Sequence, residues 1–446
     1  MRRWLEGIWR LVLAVFVSTS LYQGYLTLPG LHGHSLFSIL QRLLVFLVPV
    51  AVLIVWWRGR WRTGTLALSA LVLWIGWLGE RYWTASPHTY YAFYYLWTQV
   101  GGVLVVLSLW LLARRPGWFK ATLAVALLAF YAASVAVAFW EVRTAHHLAQ
   151  SRSWGPPPSH VPTAFFFDPN NLGVALAILL PWVAALPVWR PDPWLKVVVG
   201  IGVALGLVVL YETGSRGGEL MALIEAGIAI ALLPAPHRRR WAVGAGIAIA
   251  ALVLLVVALN RLPPQHLPFA LVKLRDLAHL MGEGTGPNGG PGSVRIRLAL
   301  LAGGIRAVLH HPLGLGPRGA ERYFTYWVHH PAPFNTYGVV DAHNPWLEAA
   351  MDGGWPGLGL WVLFYVRVLV HAAELGQGRD PFVRYAYWAS WPALWGFLLG
   401  GLSPASVFLG FNVLWVWLGA VVAAAALSAQ LRQQASRIRY QLRHFG

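Results

Sequence analysis

The 446-residue sequence contains no cysteine. Disulfides, thiolate nucleophiles and cysteine-ligated metals are excluded on that ground alone. Charge is almost as scarce. Asp, Glu, Lys and Arg make up 11% of the chain, against about 25% in a soluble globular protein. With 57% hydrophobic residues, the chain reads as a polytopic membrane protein. Acid is shorter still than base, 16 residues against 34, for a net charge of +18. In a soluble protein that excess would suggest nucleic acid. Here it follows topology, and no nucleic-acid partner is expected. Internal repeats are not evident, and the first apolar run lacks a small-residue cleavage site, so it reads as a retained span.

What the chain does have is a series of apolar runs of roughly 17–25 residues, the length that crosses a bilayer. About 12 are expected, near 8–28, 43–57, 64–79, 91–113, 120–140, 172–189, 194–211, 219–235, 241–259, 355–373, 386–402 and 406–429. Only helices or closed barrels satisfy the backbone in lipid. Runs this long and without alternation are helices, so the expected fold is all-α, with one long extracytoplasmic loop containing short helices. The aromatic residues, 14% of the chain, suit interfacial belts.

Lys and Arg placement gives orientation. With both termini cytoplasmic, the inner segments carry Arg2, Arg3 and Arg10; Arg58, Arg60 and Arg62; Arg114, Arg115 and Lys120; Arg238, Arg239 and Arg240; and the basic tail from Arg432 to Arg443. Four regions follow: N-terminal spans and first outer loop (1–171), central spans (172–259), a long outer loop (260–354), and C-terminal spans with a basic tail (355–446). A loop of about 95 residues far exceeds ordinary connections, which marks it as functional or disordered. Within it, 294–311 has a helical apolar pattern, with Ile296, Leu300, Leu301 and Val308.

Three features converge on the outer face. Thr213-Gly214-Ser215-Arg216-Gly217-Gly218-Glu219 joins two spans. An Arg at membrane depth faces a cavity or an anion, and its fixed fork of donors matches phosphate oxygens. The plainer alternative is an interfacial Arg balanced by Glu212 or Glu219. Arg295-Ile296-Arg297 opens the loop helix, where arginines would add to the positive end of the dipole; a solvated basic face is the alternative. His343 lies where the loop meets the next span, in Asp341-Ala342-His343-Asn344-Pro345. An imidazole titrates near working pH and suits a general base, or it bonds a backbone carbonyl structurally. Glu225, inside a span, is either a packing carboxylate or a substrate contact. His310-His311 and His329-His330 are adjacent pairs that do not face one ligand, and no metal-ligand spacing is present, so no metal is expected. Gly314-x-Gly316 lacks the strand-to-helix context of a nucleotide loop.

These residues, in this order, resemble the O-antigen ligase and polymerase superfamily of bacterial membrane proteins. The resemblance rests on Ser215-Arg216-Gly217-Gly218; on Arg297-Leu298-Ala299-Leu300-Leu301 leading to His311-Pro312-Leu313-Gly314-Leu315-Gly316; and on Ala342-His343-Asn344 with Glu348 and Gly353-Gly354-Trp355-Pro356-Gly357. The family shows an Arg followed four residues later by Leu, here Arg216 and Leu220, and a His followed eleven later by Gly, here His343 and Gly354. Asp168-Pro169-Asn170 resembles a further family element. The match covers 165–365; the remaining spans match only as spans.

The resemblance implies a glycosyltransferase of the bacterial inner membrane, active on its extracytoplasmic face. It would move a glycan from undecaprenyl diphosphate to lipid A-core or to another lipid-linked glycan, among membrane lipids, without nucleotide sugar, metal or other cofactor. Arg216 and Arg297 would neutralise the leaving diphosphate, and His343 would deprotonate the acceptor in an inverting displacement. Arg295, Arg306, Asp168 and Asn170 are further substrate-binding candidates, and Asp341 or Glu348 would orient the imidazole. Ligase-type transfer is favoured over polymerisation because one loop bears both the second Arg and the His. A lipid-linked oligosaccharide flippase is the alternative of another class; transporters often show repeats and broken midplane helices, and neither is seen.

Overall fold

The computed structural model describes residues 2–22, 25–26, 35–58, 63–148, 159–233, 293–330, 335–401 and 406–445. Everything regular among them is helical. In chain order the helices are α1 (Arg2–Ser20), α2 (Leu36–Trp57), α3 (Thr65–Thr84), α4 (Tyr90–Leu112) and α5 (Pro116–Thr144). There follow α6 (Pro169–Ala184, continued by the short turn Leu186–Trp189), α7 (Pro193–Thr213) and α8 (Arg216–Leu232). The remainder are α9 (Ser293–His310), α10 (Gly319–His329), α11 (Pro345–Leu375), α12 (Pro381–Gly400) and α13 (Asn412–Phe445). A π-helical turn, Val125–Ala129, interrupts α5.

Seven of these are long and apolar enough to cross a membrane: α2, α4, α5, α6 with its extension, α7, α11 and α13. Polytopic character is therefore plain, while the expected twelve spans are not all reproduced at that length. Four expected spans form helices that fall short of it. Glu6 and Arg10 interrupt α1, Glu80 and Arg81 end α3, α8 has only 17 residues, and α12 is broken up by aromatics. The expected span at 241–259 lies outside the described residues.

At the centre are α4 and α13, buried on all sides over Gly101–Ala113 and Val413–Ser428. A helix apolar all round has no solvent face to keep. Lipid is as apolar as leucine, so helices in a bilayer associate through close packing and small residues rather than through the hydrophobic effect. Gly102 gives the means: a Cβ there would lie 2.4 Å from the Trp415 ring. Around this pair, α3 packs on α11, and α6, α8 and α12 pack on one another.

The loop helix expected at 294–311 is formed as α9, and α10 follows it. The next span starts near Trp355, as expected, beyond the non-helical Gly354, but a short helix precedes it. This short helix begins ten residues earlier, at Pro345, with Asn344 capping it through the backbone N–H groups of Trp346 (3.0 Å) and Leu347 (3.2 Å). Glu348 and Asp352 had broken the apolar run and hidden this first stretch. At Gly354 the backbone turns to φ +64°, ψ −164°, and the helix kinks before it continues to Leu375.

Candidate functional site

The site is built where the N-terminal ends of α6, α8 and α11 meet the face of α9. Asp168 caps α6: its Oδ1 accepts the Asn170 N–H at 2.6 Å, with Pro169 in the first helical position, where no N–H is needed. Asp168 is buried. Gly214, at φ +56°, ends α7, and Ser215 caps α8 by accepting the Gly218 N–H at 3.3 Å. Arg216 is then the first residue of α8. The two helix starts are pressed together at Gly173. A Cβ there would lie 2.4 Å from Ser215 Cβ, and one on Gly218 would lie 2.7 Å from the Gly173 carbonyl. Two helix N-termini, each the positive end of a dipole, are thus held side by side, with Arg216 the first residue of one of them.

On α9, one face packs on the start of α11, where Gly304 meets Leu347. Arg297 sits half-buried beside that face, and Arg216 and Asp168 both act on it. Burial lowers the pKa of the Arg297 guanidinium, the nearby Arg216 charge lowers it further, and Asp168 raises it in part. Two guanidiniums and a carboxylate thus lie close enough to act on one another. Arg295 and Arg306 lie on the opposite, exposed face of α9 and are not brought into this cluster.

His343 immediately precedes the Asn344 cap and holds a left-handed backbone, φ +49°. Non-glycine residues in that region are uncommon and mark either strain or function. Asp341 lies beside it. Burial pushes the Asp341 carboxyl up, His343 pulls it down, and Glu321 and Asp168 push it up again, while Arg318 offsets them. Asp341 thus interacts electrostatically with both His343 and Asp168. Of the two carboxylates weighed as the partner of His343, Asp341 is the one whose charge interacts with His343. Glu348 is buried and accepts from Tyr95 Oη at 2.7 Å, from the Val407 N–H at 3.3 Å and from Ser406 Oγ. Its oxygens tie α11 to α4 and to the segment before α13. Asn170, the second residue of α6, sits at the same helix start as Asp168. Glu225 is buried three turns into α8, packed against Gly396 of α12 and away from this end.

Sequence reading missed Arg318 and Glu321. The Arg318 Nε and Nη2 donate to both oxygens of Glu321, and its guanidinium lies 4.8 Å from the Tyr91 ring centroid. The Glu321 hydrogen bond raises the Arg318 pKa, against the lowering effect of burial. Arg-x-x-Glu at a helix start is a visible signal, but in a long polar loop such pairs are ordinary. Arg322 clamps the loop below: it donates to the carbonyls of Leu315 (2.6 Å) and Pro317 (3.2 Å) and to Ser86 Oγ (3.1 Å).

This fold and site define a multi-pass membrane protein with a basic, histidine-bearing cluster at one helix-capped end. Residues 201–362 match the family described as O-Antigen ligase (Wzy_C). The matched stretch includes Arg216, Arg297, Asp341 and His343, as the motifs led one to expect. The chain is also 28% identical over 322 residues to the teichuronic acid biosynthesis protein TuaE of Bacillus subtilis (strain 168), an alignment covering 67% of this chain and 59% of that relative.

Proposed function

We propose that the protein is a glycosyltransferase that takes a glycan from undecaprenyl diphosphate and passes it to an acceptor at the extracytoplasmic face of the bacterial inner membrane. The observation that carries this reading is the single electrostatic cluster of Arg216, Arg297, Asp168, Asp341 and His343, with two helix N-termini beneath it. A lipid diphosphate gains charge as its glycosidic bond breaks. Fixed cations in a water-poor site stabilise that charge without reorganising. Arg216 and Arg297 hold the diphosphate, and His343, oriented by Asp341, takes the proton from the acceptor hydroxyl. The hydroxyl oxygen forms the new bond at the anomeric carbon as the diphosphate leaves, with inversion. Basic inner segments support a topology with both termini cytoplasmic.

The acceptor has two readings. Lipid A-core follows from ligase-type transfer. The relative named for teichuronic acid biosynthesis favours a second, in which lipid-linked units are joined to one another as in a polymerase. One experiment separates them: purified protein is given an undecaprenyl-diphosphate-linked glycan with and without a lipid A-core acceptor. Glycan on lipid A-core supports the ligase. Longer lipid-linked chains without the acceptor support the polymerase. Failure of both, with folded protein, would reject transfer from this donor and favour a flippase. His343→Ala should abolish transfer while the protein stays folded.

A further inference from the structure

A second site lies away from this cluster. Between α2 and α3, with α4 as its floor, is a cleft of about 550 Å³. Val103, Leu104, Leu107 and Trp110 of α4 form the buried floor; Leu53 and Trp56 of α2 and Val72 and Leu73 of α3 form exposed rims. In a bilayer such a cleft is filled by hydrocarbon. We propose that it holds one acyl chain of an anionic phospholipid, whose headgroup sits at the arginine-bearing ends of α2 and α4.

Three observations carry this. The first is length. From Val45 to Trp56 the α2 wall runs about 16 Å at 1.5 Å per residue, close to one leaflet of a hydrocarbon core about 30 Å thick. The second is the position of the interface. Trp56 and Trp57 are both exposed, Trp57 at 90%, at the end of α2, the place where tryptophan marks the headgroup level. The third is charge. Exposed Arg58 follows at once, and Arg114 and Arg115 stand at the end of α4. Trp56 of α2 and Trp110 of α4 line the one cleft, and α2 packs along α4. At this end Glu6 takes Arg10 and Arg115, and Asp380 takes Lys120. Basic groups beside an intramembrane groove select anionic headgroups.

Two features argue against the tail of a polyprenyl donor. The cleft takes one acyl chain, and a complete polyprenyl tail is several times bulkier. The cleft also reaches the interface at the far ends of these helices from the candidate site, which meets α3 at Trp77 and Arg81 and α4 at Tyr95.

The test uses the full-length protein, delipidated in detergent and given phosphatidylglycerol or phosphatidylcholine with identical chains; retained lipid is counted by native mass spectrometry. We expect one phosphatidylglycerol to be retained in preference to phosphatidylcholine. Arg58→Gln should reduce that preference about fivefold while leaving a chain bound. Val72→Trp and, from the opposite wall, Leu53→Trp should abolish retention; both residues face lipid, so the core is undisturbed. Equal retention of the two lipids, or undiminished retention in both tryptophan variants, would overturn the proposal. So would displacement of the bound lipid by equimolar polyprenyl diphosphate.

Discussion

Gly314 and Gly354 meet backbone to backbone. A Cβ on Gly314 would lie 2.4 Å from the Gly354 nitrogen, and a Cβ on Gly354 would lie 2.5 Å from the Gly314 nitrogen. Both have positive φ, +92° and +64°. Around them the loop is sewn to the kink of α11: Leu315 N–H to the Met351 carbonyl (2.8 Å), Gly316 to Asp352 (2.9 Å) and Trp355 to Pro312 (2.9 Å). From α3, Trp77 donates to the Gly353 carbonyl (2.6 Å) and Arg81 to that of Gly314 (2.9 Å). The eleven-residue interval from His343 to Gly354 thus spans one short helix, with His343 at its start and its docking point at its end.

Gly354→Ala should therefore destabilise the protein by about 3 kcal/mol, the sum of a left-handed backbone for an L-residue and a backbone clash. Transfer should be lost with it, because the helix that presents His343 loses its anchor. Gly359→Ala, where nothing lies within 4 Å of the added carbon, should leave both unchanged. Thermal unfolding in detergent with a transfer assay reads the difference.

How much of this was legible beforehand depends on context. In so apolar a chain, Arg216 and His343 stand out by type alone, and the helical class follows from the apolar runs. Arg297 was separable from Arg295 and Arg306 only by its side of α9, two residues away from one and nine from the other. By sequence, Asp341, two residues before His343, and Glu348, five after it, are both open as its partner. They are not equivalent, because Asn344 starts a helix between them and turns Glu348 toward Tyr95. Arg318 and Glu321 had no contrast with their loop. The kink at Gly354 needed the partner Gly314, forty residues away, before its purpose was readable.

Asp168 is both a cap and a charge, and the two are separable. Asn caps a helix as well as Asp, whereas Ala costs about 1 kcal/mol. Asp168→Asn should melt close to the native protein while Asp168→Ala melts lower by that amount. If both variants melt alike, the Asn170 hydrogen bond contributes nothing.

Glu348 should behave as an anchor. Truncation to Ala leaves Tyr95 Oη, Ser406 Oγ and the Val407 N–H without their acceptor, a loss of about 3 kcal/mol for a buried network. Glu348→Gln keeps the side chain's volume and one oxygen, and should recover part of the stability. Neither should alter the pH dependence of whatever transfer remains. A shifted profile in Glu348→Gln would place this carboxylate with His343 instead.

Asp341 makes the opposite prediction. Burial raises its carboxyl above the ordinary carboxylate range, with Glu321 and Asp168 adding to the rise and His343 opposing it. Folded protein therefore binds this proton more tightly than unfolded chain. The contribution to stability is full below the unfolded pKa and is lost as pH rises through the folded one. Activity runs the other way, because only the ionised form accepts the imidazole N–H and stabilises the imidazolium. The acid limb of the transfer profile should lie above the range of an exposed Asp, and Asp341→Asn should shift that limb, which protonation of the His343 base then sets alone, and lose most of the rate, about 10²-fold or more. The same variant should be no less stable than the native protein at neutral pH, since it no longer buries a charge. A profile unchanged in Asp341→Asn would remove Asp341 from the site and leave His343 to act without it.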